Sequence, residues 1–264
     1  MKLLAGKTAL VTGASKGTGK DLAYIFAENK CNLVLVARSI QLLNQIKAEL
    51  ENKYSVEVYI LVKDLCNKNS VLELYNEVKE RGIDIDYLVN NAGFGDYGEF
   101  AETSWVRYEN MISLNISALT QLTHLYATDW KGRKPGRILN IASTAAFQPG
   151  PMMAVYFATK SFVLSLSEAV GKELKKYDIT ITALCPGPTS TNFGDESKMS
   201  ASQLVKNVKI AKSKDVAELG YRSMMKGKPT VIHGSMNKLA PFAIRFLPRT
   251  WVTKLSATIM TEQI

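Results

Sequence analysis

Apolar positions fall into short, nearly continuous runs separated by amphipathic stretches. Residues 7–13, "KTALVTG", and 31–38, "CNLVLVAR", are rich in β-branched and aliphatic side chains, and between them "GKDLAYIFAENK" repeats its apolar residues at helical spacing. Five further runs of strand character lie at 56–62, 86–90, 136–142, 179–185 and 229–233, each preceded by enough chain for a helix. Strands that are apolar on both sides need cover on both faces, and helical crossovers make successive strands parallel. With right-handed crossovers the expected fold class is a doubly wound α/β sheet. No internal repeat, linker or low-complexity segment interrupts the series.

At 264 residues and 46% hydrophobic, the chain can bury one large core. Cys31, Cys66 and Cys185 are far apart and odd in number, without ligand spacing. Neither a disulfide framework nor a metal site is expected, and a reducing, cytoplasmic setting fits. No run of about 20 apolar residues is available to span a membrane, and the short apolar start runs straight into a strand, so a soluble protein is expected. The net charge of +9 is concentrated at one end: residues 201–264 hold eleven Lys/Arg against three Asp/Glu. Such a bias informs association and not fold. No basic patch with interleaved aromatics points to nucleic acid.

The glycines in "TGASKGTG", Gly13, Gly17 and Gly19, sit where the first strand turns into the first helix. Backbone N–H groups and the positive helix end at such a turn can receive a pyrophosphate if no Cβ blocks the approach. Glycine also serves tight turns for purely structural reasons, and the G-x-x-x-G-x-G spacing differs from the G-x-G-x-x-G of many dinucleotide folds.

Motifs further along the chain give that spacing meaning. "TGASKGTG" at 12–19, "NNAG" at 90–93, "LN" at 114–115, "ILNIAS" at 138–143, "YFATK" at 156–160 and "PGPTST" at 186–191 occur in this order on the expected elements. Over about residues 5–235 the chain resembles the short-chain dehydrogenase/reductase family. The resemblance implies a single-domain Rossmann fold with a seven-stranded parallel sheet, and nicotinamide-dependent interconversion of alcohols and carbonyls. It also implies a dimer or tetramer formed through the helices around Asn115 and Tyr156.

Tyr156 and Lys160 stand i,i+4 on a helix and project to one face. A free phenol has a pKa of about 10, and a nearby ammonium, together with a positive nicotinamide ring, is expected to favour phenolate and bring it toward the working range. Tyr156 is therefore the expected proton donor or acceptor. By resemblance, Ser143 hydrogen-bonds the substrate oxygen, Lys160 also reaches the nicotinamide ribose, and Asn115 places a water that links Lys160 to solvent. Taken singly, each residue has a plain structural reading: a surface tyrosine, a helix cap, a mid-helix polar group.

Charge selects the cofactor. After the second strand a carboxylate would grip the ribose hydroxyls of NAD, whereas "VARS" puts Arg38 and Ser39 there, and Lys16 adds a cation from the glycine loop. A guanidinium binds phosphate through two parallel hydrogen bonds, so NADP(H) is expected. Around it the resemblance assigns Gly13, Ser15, Lys16, Gly17, Thr18 and Gly19 to the phosphates. It assigns Asp64 and Leu65 to adenine, Asn90, Ala92 and Gly93 to the adenosine side, and Pro186, Gly187, Thr189 and Thr191 to the nicotinamide amide.

Phe94, Phe147, Met152, Met153 and Phe193 lie beside the motifs and are expected to join Ser143 in an apolar, adaptable substrate pocket, under a polar-to-amphipathic lid at about 191–215. The expected substrate is a small hydrophobic ketone or alcohol, 3-oxoacyl or steroid-like. Residues 236–264 form a basic amphipathic extension that Pro241 and Pro248 interrupt. Self-association, peripheral membrane contact and capping of the pocket are all open to it. A protein that binds the nucleotide without turnover is the alternative reading of the whole chain.

Overall fold

The computed structural model describes residues 4–190 and 210–260. All seven runs form one sheet: β1 (Thr8–Thr12), β2 (Asn32–Ala37), β3 (Val58–Val62), β4 (Tyr87–Asn90), β5 (Gly136–Ile141), β6 (Ile179–Cys185) and, after a minor pair β7 (Thr189–Ser190) and β8 (Ala211–Lys212), β9 (Thr230–Ile232). Every pairing in it is parallel, in the order β3-β2-β1-β4-β5-β6-β9. The chain turns back across the sheet between β1 and β4, and such a reversal opens a crevice at the carboxyl ends of the strands.

Helices α1 (Gly17–Glu28), α2 (Ile40–Tyr54), α3 (Ser70–Glu80), α4 (Trp105–Ile112), α5 (Leu119–Trp130), α6 (Ala154–Leu174) and α7 (Ser213–Met225) make the crossovers. Two shorter ones close the chain, α8 (Ser235–Ala243) and α9 (Arg249–Met260). Strand alternation sorts the core into two layers. Ala9, Val11, Leu33 and Leu35 pack with Leu22 and Phe26 of α1 and Val216 and Met224 of α7. Leu10, Val34 and Val36 face the opposite way, onto Leu74 and Val78 of α3 and Leu122, Tyr126 and Trp130 of α5. A period of two along the strand produces that split. Trp130 fixes the far end of the second layer, donating from Nε1 to the Ile85 carbonyl at 2.8 Å. A Cβ on Gly136 would come within 2.0 Å of its ring.

Candidate active site

A groove of about 1460 Å³ runs along the carboxyl ends of the central strands. That exceeds the volume usual for one drug-sized ligand, and leaves room for a dinucleotide and a substrate together. Thr191, Phe193 and most of the expected lid fall outside the described residues.

At one end lies the turn from β1 into α1. Ser15, Lys16, Gly17 and Thr18 line the groove, and no side chain caps the amino terminus of α1, so its free N–H groups and positive end are presented there. Making room for phosphate does not, however, account for all three glycines. Gly13 has φ +65°, and a Cβ on it would meet the Asn91 amide nitrogen at 2.8 Å; one on Gly19 would meet the Gly13 carbonyl oxygen at 2.3 Å. The neighbour that excludes a side chain at both positions is the protein itself. Gly19 is buried and does not line the groove. Gly13 and Gly17 both border it, and of these Gly13 is held by its contact with Asn91, while Gly17 stands at φ +53°.

Asn91 organises this turn. Its Nδ2 donates to the carbonyls of Thr12 (2.9 Å) and Gly13 (3.1 Å), while Thr12 Oγ1 accepts from the backbone N–H groups of Asn91 and Ala92, both at 3.0 Å. Its neighbour Asn90, expected on the adenosine side, instead points into the core and donates to Thr123 Oγ1 and Asn140 Oδ1. Strand alternation puts the two asparagines on opposite sides, and the sequence alone does not say which faces the ligand. Ala92 and Gly93 do line the groove.

Arg38, Ser39, Asp64 and Leu65 lie together along the groove beyond α1. Arg38 and Lys16 are exposed, and neither forms an ion pair with a described acid. Two unneutralised cations beside an uncapped helix terminus are the donor set that a phosphorylated dinucleotide requires. Cys66 lies beside them, its thiol pushed up to about 11 by partial burial and by the Asp64 carboxylate.

At the other end the reacting groups meet. Tyr156 and Lys160 stand one turn apart on α6, both buried, with the ammonium 5.8 Å from the phenol ring centroid. Lys160 Nζ donates to the Ile141 carbonyl at 2.7 Å. Ser143 accepts from the Ala145 N–H at 3.1 Å and shares a side-chain hydrogen bond with Tyr156. The electrostatics reverse the expectation of a phenol made acidic by its neighbour. Burial pushes Tyr156 up to about 12, only partly offset by Ser143, and pushes Lys160 down to about 8. In the protein alone, loss of water dominates the ionisation of both groups.

Asn115 sits in a π-helical turn, Ser113–Ala118, between α4 and α5. Single π-turns inside helices often mark functional sites. Its carboxamide accepts from the Phe94 N–H (3.1 Å) and donates to the Phe94 carbonyl (2.9 Å) and to Thr159 Oγ1 (3.1 Å). Both ends of the carboxamide are engaged and the side chain does not line the groove, so here it holds the 93–94 backbone and α6 in place. A Cβ on Gly93 would strike Asn115 Oδ1 at 2.9 Å and come within 3.6 Å of Lys160 Nζ.

The substrate end is walled by Phe94, Phe147, Met153 and Phe157. Met152 does not line it: its backbone is left-handed, φ +64°, and its carbonyl accepts from the Gly98 N–H at 2.9 Å. Arg107, with its guanidinium 4.5 Å from the Phe94 ring centroid and its Nε bonded to the buried Asp96, borders the same space. Pro186, Gly187 and Thr189 line the groove as expected. The tail supplies residues that the sequence motifs did not announce: Asn237 and Pro241 of α8, and Ser256, Ile259 and Met260 of α9. Met260 is buried with Tyr108, Met111, Met153, Tyr156 and Phe157, and its carbonyl accepts from Tyr97 Oη at 2.6 Å. Of the roles open to the extension, this packing supports the pocket cap.

A family model described as short chain dehydrogenase matches residues 7–201. The chain belongs to the short-chain dehydrogenase/reductase family. It is similar to the mouse protein named 17-beta-hydroxysteroid dehydrogenase type 3, 34% identical over 191 residues that cover 70% of this chain and 61% of that one. It is also similar to the NADP-dependent 3-hydroxy acid dehydrogenase of Schizosaccharomyces pombe, 31% identical over 240 residues, 88% of this chain and 92% of the relative. Among solved structures, the short-chain dehydrogenase from Sphingobium yanoikuyae in complex with NADPH superposes with a TM-score of 0.81 at 29% identity, over 98% of both chains. The family match ends at residue 201. The groove-lining residues of α8 and α9 lie beyond it, where no motif could have pointed to them.

Proposed function

We propose that the protein is an NADP(H)-dependent oxidoreductase that interconverts a ketone and a secondary alcohol on a hydrophobic substrate, with 3-oxoacyl thioesters and hydroxysteroids the classes to test first. One observation carries the reading: Tyr156 and Ser143, hydrogen-bonded to each other, and Lys160 line one apolar-walled groove that ends at an uncapped helix terminus and two unneutralised cations. Similarity to an NADP-dependent relative and to a steroid dehydrogenase supports the cofactor and the lipophilic substrate.

The α1 terminus with Ser15, Lys16 and Thr18 would hold the pyrophosphate, Arg38 and Ser39 the 2′-phosphate, and Pro186, Gly187 and Thr189 the nicotinamide amide. NADPH bound there supplies the reducing equivalents. The chain's own residues supply orientation and a proton. The Ser143 hydroxyl holds the carbonyl oxygen beside Tyr156, and the phenol, protonated throughout the neutral range because burial raises its pKa to about 12, gives its proton to that oxygen as negative charge develops there. The phenolate left behind is stabilised by the Lys160 ammonium, which titrates near 8 and can return a proton. A phenol held neutral favours reduction at neutral pH.

The test is a panel of ketones and alcohols read by NADPH absorbance, with Tyr156→Phe as the deciding variant. Loss of a general acid lowers kcat by about 10²–10⁴-fold, and NADPH binding measured by fluorescence should persist. Turnover that survives in the variant overturns the assignment. A wild type that binds NADPH yet turns over no member of the panel favours a non-catalytic nucleotide-binding role.

A further inference from the structure

The segment that closes the groove has a second side, and its composition is unlike the rest of the surface. On α9, Val252, Ser256 and Met260 form one buried stripe at i,i+4,i+8, while Trp251, Leu255 and Ile259 form an exposed one beside it. Met236, Leu239 and Phe242 of α8, and Phe246 and Leu247 of the turn after it, continue the exposed apolar set; Met236 and Phe246 are about three-quarters exposed, at 75% and 74%. Phe242 and Phe246 touch only edge to face, with centroids 5.3 Å apart. Isolated exposed apolar residues are ordinary, but eight large ones within 24 residues are not.

Charge distinguishes what this face fits. Lys238, Arg245, Arg249 and Lys254 are exposed among these residues, and none forms an ion pair with a described acid. From Leu219 to Met260 there are seven Lys/Arg and no Asp or Glu. A second copy of the chain, docked face to face about a two-fold axis, would bring cation against cation, and no described residue of α8, α9 or the turn between them is acidic. Pro248, and Pro241 within α8, keep the helices short, and no helix among the described residues is long and apolar enough to cross a membrane. Short helices with aromatic and aliphatic residues on one side, flanked by Lys and Arg, suit the boundary between headgroups and acyl chains.

We propose that the outer face of α8, the turn at 244–247 and α9 docks on an anionic lipid surface, lying in its plane, while the inner stripe of α9 walls the substrate end of the groove. Ile259 and Met260 border the groove, so docking brings the mouth of the site to the level of dissolved lipid. The docking stands apart from the catalytic reading and can fail or hold independently of it.

The test uses the full chain and sedimentation with vesicles of phosphatidylcholine alone or with about one-third phosphatidylglycerol. The wild type is expected to bind the mixed vesicles at least about tenfold more tightly, and raising salt to about 0.5 M should weaken binding. The combined variant Phe242→Ser, Phe246→Ser, Trp251→Ser should lose at least about tenfold on mixed vesicles, and Lys238→Gln with Arg245→Gln should lose the preference for anionic lipid. Circular dichroism and NADPH oxidation with a water-soluble ketone, unchanged in these variants, show that fold and site are intact. Wild-type protein that ignores both vesicle types, or variants that bind as well as wild type, overturns the proposal. So does a serine variant whose sedimentation velocity without lipid drops to that of a smaller oligomer while the wild type binds no vesicles, because a second copy then covers the face.

Discussion

Lys160 is held where water does not solvate its charge, tied to the Ile141 carbonyl and packed under Gly93. Its ammonium therefore ionises near 8 in the folded chain instead of at the ordinary 10.5. Between those values the unfolded chain binds more protons than the native one, so this residue's contribution to stability rises with pH across that window. Lys160→Met abolishes the dependence: urea denaturation from about pH 8 to about pH 10 should show wild-type stability rising relative to the variant, and a flat difference would contradict the burial argument. Arg38 carries a different kind of prediction. If its guanidinium holds the 2′-phosphate, Arg38→Asp should weaken NADPH binding by about 10–100-fold, the value of a charge-assisted pair of about 1.5–3 kcal/mol, and shift preference toward NADH. Fluorescence titration with both nucleotides reads this directly.

At the scale of elements, Asn91 ties the end of β4 to the glycine turn after β1, and through it to the start of α1. Asn91→Ala removes two hydrogen bonds to main-chain carbonyls and should cost about 1–3 kcal/mol. Because the same bonds hold the turn in shape, NADPH affinity should fall more steeply than ketone affinity, which calorimetry on each ligand would separate. Much at this scale was legible beforehand. Apolar runs placed all seven strands of the main sheet, since a strand covered on both faces is mostly apolar and its few polar positions, such as Asn140 and Thr182, do not break the run. The i,i+4 spacing put Tyr156 and Lys160 on one face of α6. What the sequence could not show is which neighbour occupies the space beside each glycine, or which asparagine of "NNAG" turns toward the ligand. Both depend on contacts between segments far apart in the chain. The pKa reversal was illegible for the same reason: spacing reveals the ammonium's proximity, but desolvation depends on everything packed around the pair.

For the molecule as a whole, the tail belongs to the site. Met260 lies at the end of the described chain and still packs in the cluster that contains Tyr156, so the tail completes the wall of the groove. Met260→Ala leaves a cavity there. Because α9 rests on few elements, the loss should appear as local opening of that helix and not as melting of the sheet. Hydrogen exchange should quicken over residues 249–260 while β1 to β6 keep their protection, and KM for a hydrophobic ketone should rise more than kcat falls. The motifs end before this segment, which is why substrate contacts were the least legible part of the site.

The contact between Gly187 and Asn237 ties these scales together. A Cβ on Gly187 would lie 2.6 Å from the Asn237 amide nitrogen, whose own bond to the His233 carbonyl at 2.8 Å fixes it in place. A designer who transplants the carboxyl-terminal helices from one homologue to another, to exchange substrate ranges, must therefore move position 187 and position 237 as a matched set. A chimera that pairs a bulkier loop residue with this asparagine would seat the new roof badly, and its altered selectivity would report the misfit instead of the donor's preference.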